Sequence, residues 1–318
     1  MIAPAVRRGF TLVELLVVTG LFAVFFGLIV NGVRPNANSQ VRQLSQSLSS
    51  AILAAQTQAL GKDTGAALIL DVTPGSVGTN TVFNGDAPPF IVGNVTSGMP
   101  PANLSVSSTT VILAPTNADT SELATGYRIR FSGSSPQFPP TSWMGFSGQG
   151  TVSLRTTATQ NINNTVWPSS PVGSSLQFEI ARLPVKSGPA ADVTKFAAID
   201  LRYSGIGSTV TAPYGALANQ GSIGITFDRT GRLDTVILYG QSPVDPVNPT
   251  APLYLLIATI SDIEANASLQ SQTSRWLAIA PITGRVSIAA NVAVSGTTQG
   301  DITNARLNAR QGVTAGVK

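Results

Sequence analysis

The chain of 318 residues contains no cysteine and no histidine. The first absence excludes a disulfide framework, and the two together exclude thiolate and imidazole metal sites. They also remove the Ser-His-Asp triad, the Cys-His dyad and any imidazole base. Charge is scarce as well, at 11% of residues against about 25% in average soluble domains. Only four lysines occur, Lys62, Lys186, Lys195 and Lys318, and none stands in an S-x-x-K arrangement. What remains is 43% hydrophobic, with a mean hydropathy of +0.23 and 30 glycines and 21 prolines. Net charge is +4 and the pI near 9.7. That pI reflects the missing histidines and few acids, so it says little about nucleic acid. One apolar segment joined to a Ser/Thr/Gly/Asn-rich body accounts for these numbers. The length allows one large domain or two small ones.

The apolar segment is at the start. Residues 1–9 carry Arg7 and Arg8 and no acid. From Phe10 to Val30 run 21 residues with a single charge, Glu14. As a helix this spans ~30 Å, the thickness of a bilayer core. The flanking arginines place the N-terminus on the cytoplasmic side. A secretory signal peptide would be shorter and would end in a small-residue cleavage site. Asn31-Gly32-Val33-Arg34-Pro35 offers none. An ordinary signal anchor does not explain Glu14, because a carboxylate in lipid costs at least ~2.5 kcal/mol and marks a functional position.

Arg8-Gly9-Phe10-Thr11-Leu12-Val13-Glu14-Leu15 resembles the prepilin processing motif of type IV pilins and type II secretion pseudopilins. In that family a membrane-embedded prepilin peptidase cuts after the glycine and methylates the new N-terminal phenylalanine. The resemblance implies cleavage between Gly9 and Phe10, N-methylation of Phe10, and loss of Arg7 and Arg8 with the leader. The mature chain then has 309 residues, with 17 bases against 15 acids. It also implies a task for Glu14, which compensates the N-terminal ammonium of a neighbouring subunit entering a filament. The alternative is that Glu14 sits at the membrane interface and favours the helix N-terminus.

Gly27, Asn31-Gly32 and Pro35 predict a kink or unwinding near 27–35. Helical patterning then resumes. Val41, Leu44, Leu48, Ala51, Ile52, Ala55 and Ala59 recur at spacings of three and four, with Gln and Ser opposite. Gly61 suits the C-terminal cap. In the family this half of the helix packs on a β-sheet.

Past Gly61 the period becomes two. Strands are expected at 66–72, 104–113, 127–131, 151–156, 176–183, 196–203, 222–227, 233–239, 253–260, 276–280 and 286–294. Gly85–Pro101, Ser132–Gly150 and Ser242–Pro252 read as loops, and Ser261–Ser274 as one short helix. Two segments each place Thr-Gly-Arg between strands, ending at Arg232 and Arg285. Each predicts a hairpin with Gly231 or Gly284 at its turn. Such hairpins resemble those of GspH/FimT-like pseudopilins.

Acid pairs occur as Asp228 with Asp234 and as Asp262 with Glu264, and they read as surface acids. No D-x-[DN]-x-[DN]-G loop is present, so no metal ligands are assigned. Arg285, Arg306, Arg310 and Lys318 could contact phosphate, but the patch is thin and has no interleaved aromatics. Nucleic acid is not an expected partner.

The expected class is α+β, a pilin-like long N-terminal helix packed on an antiparallel β-rich domain. The expected divisions are a leader at 1–9, a transmembrane half-helix at 10–34 and an amphipathic half at 35–61. A β-rich domain follows at 62–295, with a possible insertion at about 75–175, and then a flexible tail at 296–318. The expected function is that of a structural subunit, not an enzyme, with no cofactor. It would be a minor, GspH-like pseudopilin of a type II secretion pseudopilus or a pilus-like filament. The resemblance implies prepilin peptidase, other pilins or pseudopilins, an inner-membrane assembly platform and membrane lipid as partners. It places the chain in a bacterial inner membrane as a single pass, with the body periplasmic. A pilin for adhesion, motility or DNA uptake and a membrane-anchored envelope enzyme remain the alternatives.

Overall fold

A computed structural model of the chain describes residues 12–32, 36–96, 110–112, 127–132, 144–145, 151–153, 175–192, 195–210, 214–241 and 244–315. Two helices come first, α1 (Leu12–Gly32) and α2 (Ala37–Ala59). Asn36 caps α2, its side-chain carbonyl accepting from the Asn38 amide at 3.2 Å. This satisfies one of the amides that a helix start leaves without a partner. At the other end Leu60 is the cap residue, in right-handed conformation. The cap therefore falls one residue before the expected Gly61.

The strands in chain order are β1 (Ala66–Asp71), β2 (Gly78–Thr79), β3 (Thr81–Asp86), β4 (Ile91–Thr96), β5 (Thr110–Ile112) and β6 (Arg128–Ser132). There follow β7 (Met144–Gly145), β8 (Thr151–Ser153), β9 (Ser175–Ala181), β10 (Val185–Asp192), β11 (Ala197–Ile206) and β12 (Ile223–Phe227). The last are β13 (Leu233–Leu238), β14 (Asp245–Val247), β15 (Leu253–Thr259), β16 (Arg275–Ile279) and β17 (Val286–Ala290). Helix α3 (Ile260–Glu264) follows β15, and α4 (Gln299–Ala315) follows β17.

The class is α+β with antiparallel sheets. The largest sheet has the order β10-β3-β1-β12-β13-β14, and a second has the order β17-β16-β15-β11-β2. Helix α2 packs against both. Val41, Leu44, Leu48 and Ile52 share one core with Leu68 and Leu70 of β1, Ile225 and Phe227 of β12, and Leu255 and Ile257 of β15. Each such aliphatic side chain contributes roughly 1.5–3 kcal/mol when fully buried. Ser45 also lies under the helix, and its hydroxyl is satisfied by the Arg42 carbonyl at 2.8 Å.

Everything from β4 to β9 lies between β3 and β10, which pair with each other. The chain therefore leaves and re-enters the largest sheet at one edge. In between it builds a third sheet, β4-β9-β6-β7, and a β5-β8 pair. The expected insertion at about 75–175 overlaps these strands, which run from Ile91 to Ala181. Arg128 of β6 ties the third sheet to the first. Its guanidinium donates to Asp234 at 2.9 Å and to the Asn248 side chain at 3.3 Å, and it also meets Thr235.

Several expectations need correction. Gly85–Pro101 is not a loop throughout, since β3 ends in it and β4 lies in it. Ser132–Gly150 contains the two residues of β7. Ser242–Pro252 contains β14. β14 and β7 are edge strands, which need a partner on one side only, so Pro246 is tolerated in β14. Strand β10, absent from the expected set, is the opposite edge. It carries Gly188-Pro189 at a register shift between Ser187 and Ala191. The helix expected at Ser261–Ser274 stops after Glu264, and Asn266 turns with φ +56°.

The largest correction concerns 296–318, expected as a flexible tail. Residues 299–315 form α4, and Ile302, Ala305 and Ala309 are buried against Tyr254, Leu256 and Trp276. Thr298 and Asp301 cap it reciprocally. The Asp301 amide reaches the Thr298 hydroxyl at 3.3 Å, and the Thr298 amide reaches the Asp301 carboxylate at 3.0 Å. This is a capping box.

Candidate functional site

Helix α1 runs for 21 residues. Its described large side chains are exposed, from 80% at Leu12 through 66% at Leu16 to 43% at Val18. Val13, Leu15, Val17, Leu21 and Phe22 are exposed too. At 100° per residue these positions point in every direction around the axis, so over its described part, Leu12–Phe22, no side of α1 is turned to the body. The hydroxyl of Thr19 within the run is internally satisfied. The Thr19 hydroxyl lies 2.9 Å from the Leu15 carbonyl and 3.0 Å from that of Leu16. Such back-bonding hides a hydroxyl from an apolar surrounding. Side chains are described over only part of α1, and among the described residues no helix is long and apolar enough to cross a membrane. Glu14 lies in the first turn of the helix. Arg7, Arg8, Gly9 and Phe10 lie outside the described residues.

Helix α2 is joined to the body by a polar contact as well as by its stripe. The strand pairs β12–β13 and β16–β17 are hairpins, and their turns contain the two Thr-Gly-Arg triplets. Gly231 has φ +77° and Gly284 φ +66°. Asp228 shapes the first turn, its carboxylate accepting from the Thr230 amide at 2.8 Å and the Arg232 amide at 3.0 Å. The Ala280 amide closes the second by donating to the Arg285 carbonyl at 3.0 Å. The two turns touch: a Cβ on Gly284 would stand 2.1 Å from the Gly231 carbonyl oxygen. Gln56 of α2 reaches both, its side-chain nitrogen donating to the Gly231 carbonyl at 3.1 Å and the Gly284 carbonyl at 2.6 Å. One amide group thus clamps two hairpins that are distant in sequence. Gln56 flanks the stripe one residue past Ala55, and no sequence signal marks it.

The titratable candidates separate. Asp228 serves its turn, whereas Asp234 accepts from Arg128 and from the Thr235 hydroxyl at 2.9 Å. Asp262 and Glu264 sit in α3, whose cap is Thr259. Lys62 pairs with Asp86, and Lys186 with Asp71 at 2.7 Å. That ammonium, together with the Ser222 hydroxyl, holds the Asp71 carboxyl below its ordinary value against the effect of burial. Asp200 is fully buried, with its carboxylate taken by Arg202 at 2.8 and 3.0 Å and by the Ser268 hydroxyl at 2.6 Å. No cluster of three potential metal-ligating side chains occurs among the described residues.

Arg306, one of four candidate phosphate contacts, is excluded from that role. It is buried, and its guanidinium donates to the carbonyls of Tyr203 at 2.6 Å, Gly215 at 2.7 Å and Gly207 at 2.8 Å. Burial pulls it down to about 10, so it still carries its charge at neutral pH. Arg306 pins α4 to the body. Arg285 and Arg310 are exposed, and they line a common cleft. Lys318 lies outside the described residues.

Comparison with protein-family models, with curated proteins and with solved structures returns no match.

Proposed function

We propose that this chain is a filament subunit of the type IV pilin and pseudopilin class, built as a minor, GspH-like pseudopilin. In this reading α1 holds the precursor in the bacterial inner membrane, with the globular body on the periplasmic side. Prepilin peptidase removes the leader after Gly9 and methylates Phe10. The subunit then passes through an inner-membrane assembly platform into a bundle of related helices. Glu14 meets the new ammonium of a neighbour and removes the penalty of two isolated charges in an apolar setting. The activity is mechanical, and the body displays its surface on the filament.

The observation that carries the reading is the coincidence of the Gly9-Phe10…Glu14 motif with a helix whose described apolar side chains are exposed on all sides. Eight large apolar side chains cannot remain in water. Lipid before assembly and neighbouring helices after it provide the cover. Processing and incorporation test the reading together. Gly9→Val should leave the precursor at full size on a gel when the peptidase is present. Glu14→Ala should be cut normally but fail to enter filaments. Cleavage of the Gly9→Val chain at the same position would disprove the leader assignment. Normal incorporation of the Glu14→Ala chain would reduce the carboxylate to an interfacial role.

A further inference from the structure

Helix α4 does not cover the whole outer face of the second sheet. Tyr254, Ala278 and Ser287 are register partners across β15, β16 and β17, so they form one row on one face. A cleft of about 520 Å³ opens over this row. Pro252 and Ile282, the latter 73% exposed, line it. Arg285 enters the lining from the second hairpin and Arg310 from α4. Among the described residues neither has an ion-pair partner and no acidic side chain lines the cleft.

A larger cleft of about 700 Å³ between the inserted sheet and the first sheet differs in kind. There Arg128, Arg182 and Arg229 share the walls with Asp63, Glu179 and Asp234. The lining neutralises itself. The smaller cleft instead combines an apolar floor with unbalanced positive charge from two separate elements. Sites that bind small groups have this composition, mostly apolar with a few convergent polar groups.

We infer that this cleft receives the C-terminus of an extended peptide. The last side chain of that peptide is apolar and lies against Pro252 and Ile282. Its carboxylate is held by Arg285 and Arg310, whose guanidinium groups suit a carboxylate in charge and fork geometry. Thr250 offers its hydroxyl to the peptide main chain, while Thr283 accepts from the Arg285 amide and Ser287 donates to the Ala278 carbonyl. A lipid tail would leave the two guanidinium groups unmatched. A nucleic acid would leave the apolar floor unmatched, since Tyr254 is buried and presents no stacking face. The inference is independent of the filament reading.

The test uses the full-length chain in a non-ionic detergent and a dye-labelled tetrapeptide ending in leucine, followed by fluorescence anisotropy. The free-acid peptide should bind saturably, and the same peptide with a C-terminal amide about tenfold or more weakly. Arg310→Gln and Arg285→Gln should each weaken the free-acid peptide by about tenfold and leave the amide unaffected. Ile282→Ser should weaken both peptides. Equal binding of acid and amide would overturn the inference without recourse to any variant. So would the absence of saturable binding. A short DNA duplex that binds more tightly than the peptide, and loses affinity with the same two arginine variants, would overturn it and assign them to phosphate.

Discussion

Helices α1 and α2 are nearly equal in length, 21 and 23 residues, and adjacent in sequence, yet their surfaces follow opposite rules. In α2 the apolar residues form one stripe, and Val41, Leu44, Leu48 and Ile52 are buried to the last atom. Its other side carries Gln, Ser and Arg42. In α1 apolar residues occupy every direction, and the described ones are exposed. A stripe can be satisfied by one neighbour, here a pair of sheets. An all-round apolar cylinder needs cover on every side, which one globular body cannot give. The same chain therefore carries one helix whose stripe is covered within the fold and one whose described apolar side chains are left exposed by it.

The most drastic way to break this contrast is to remove α1. A chain starting at Asn36 should be soluble without detergent and keep the melting transition of the body, because α2 completes the core alone. An insoluble product would show that α1 covers the body after all. A smaller but still large effect separates single side chains. Leu48→Ala should cost about 2–5 kcal/mol of body stability, as a core truncation with a residual cavity. Leu16→Ala should leave the thermal midpoint of the body unchanged. Equal losses in the two variants would abolish the distinction.

Gln56→Ala probes the polar side of α2. Two carbonyls at the touching hairpin turns lose their donor, and a loss of about 1–3 kcal/mol is expected. Gln43→Ala, on an exposed position of the same helix, should do nothing in the same denaturant titration. The smallest effect at neutral pH concerns the tyrosines of the body. Burial raises Tyr239, Tyr254 and Tyr203 above the ordinary phenol value. Their folded values lie above their unfolded ones, so the associated stability is complete below pH ~10 and is lost as pH rises beyond it. Phenolate absorbance should therefore rise in step with unfolding. Titration of Tyr203, Tyr239 and Tyr254 near pH 10 with the fold intact would contradict their burial.

Legibility followed burial. The apolar positions of the α2 stripe were readable, because burial on one face imposes a period of three and four, whereas Ser45, expected on the opposite face, is buried with them. Strands β1, β11, β12, β13 and β15 were readable because sheet interiors demand continuous Val, Ile and Leu. The two edges of the largest sheet were not. Val185–Asp192, with Gly188-Pro189, fell outside the expected strands, and Asp245–Val247, with Pro246, fell inside an expected loop; they become strands only because β3 and β13 offer them unpaired ladders. Helix α4 was missed because its buried face is built from Ile302, two alanines and an arginine, which is weak in hydropathy. The Thr298-x-x-Asp301 capping box was the available signal.

By itself the sequence determined the absence of thiol and imidazole groups, the apolar N-terminal segment with its one acid and the two glycine turns. These depend on residue type and near-neighbour spacing, which the chain carries locally. Only the tertiary structure decided that the two turns touch under Gln56. It also decided that Arg306 is a buried pin while Arg285 and Arg310 share a cleft. Those outcomes depend on which segments pack together, and a guanidinium has the same formula whether it faces three carbonyls or water.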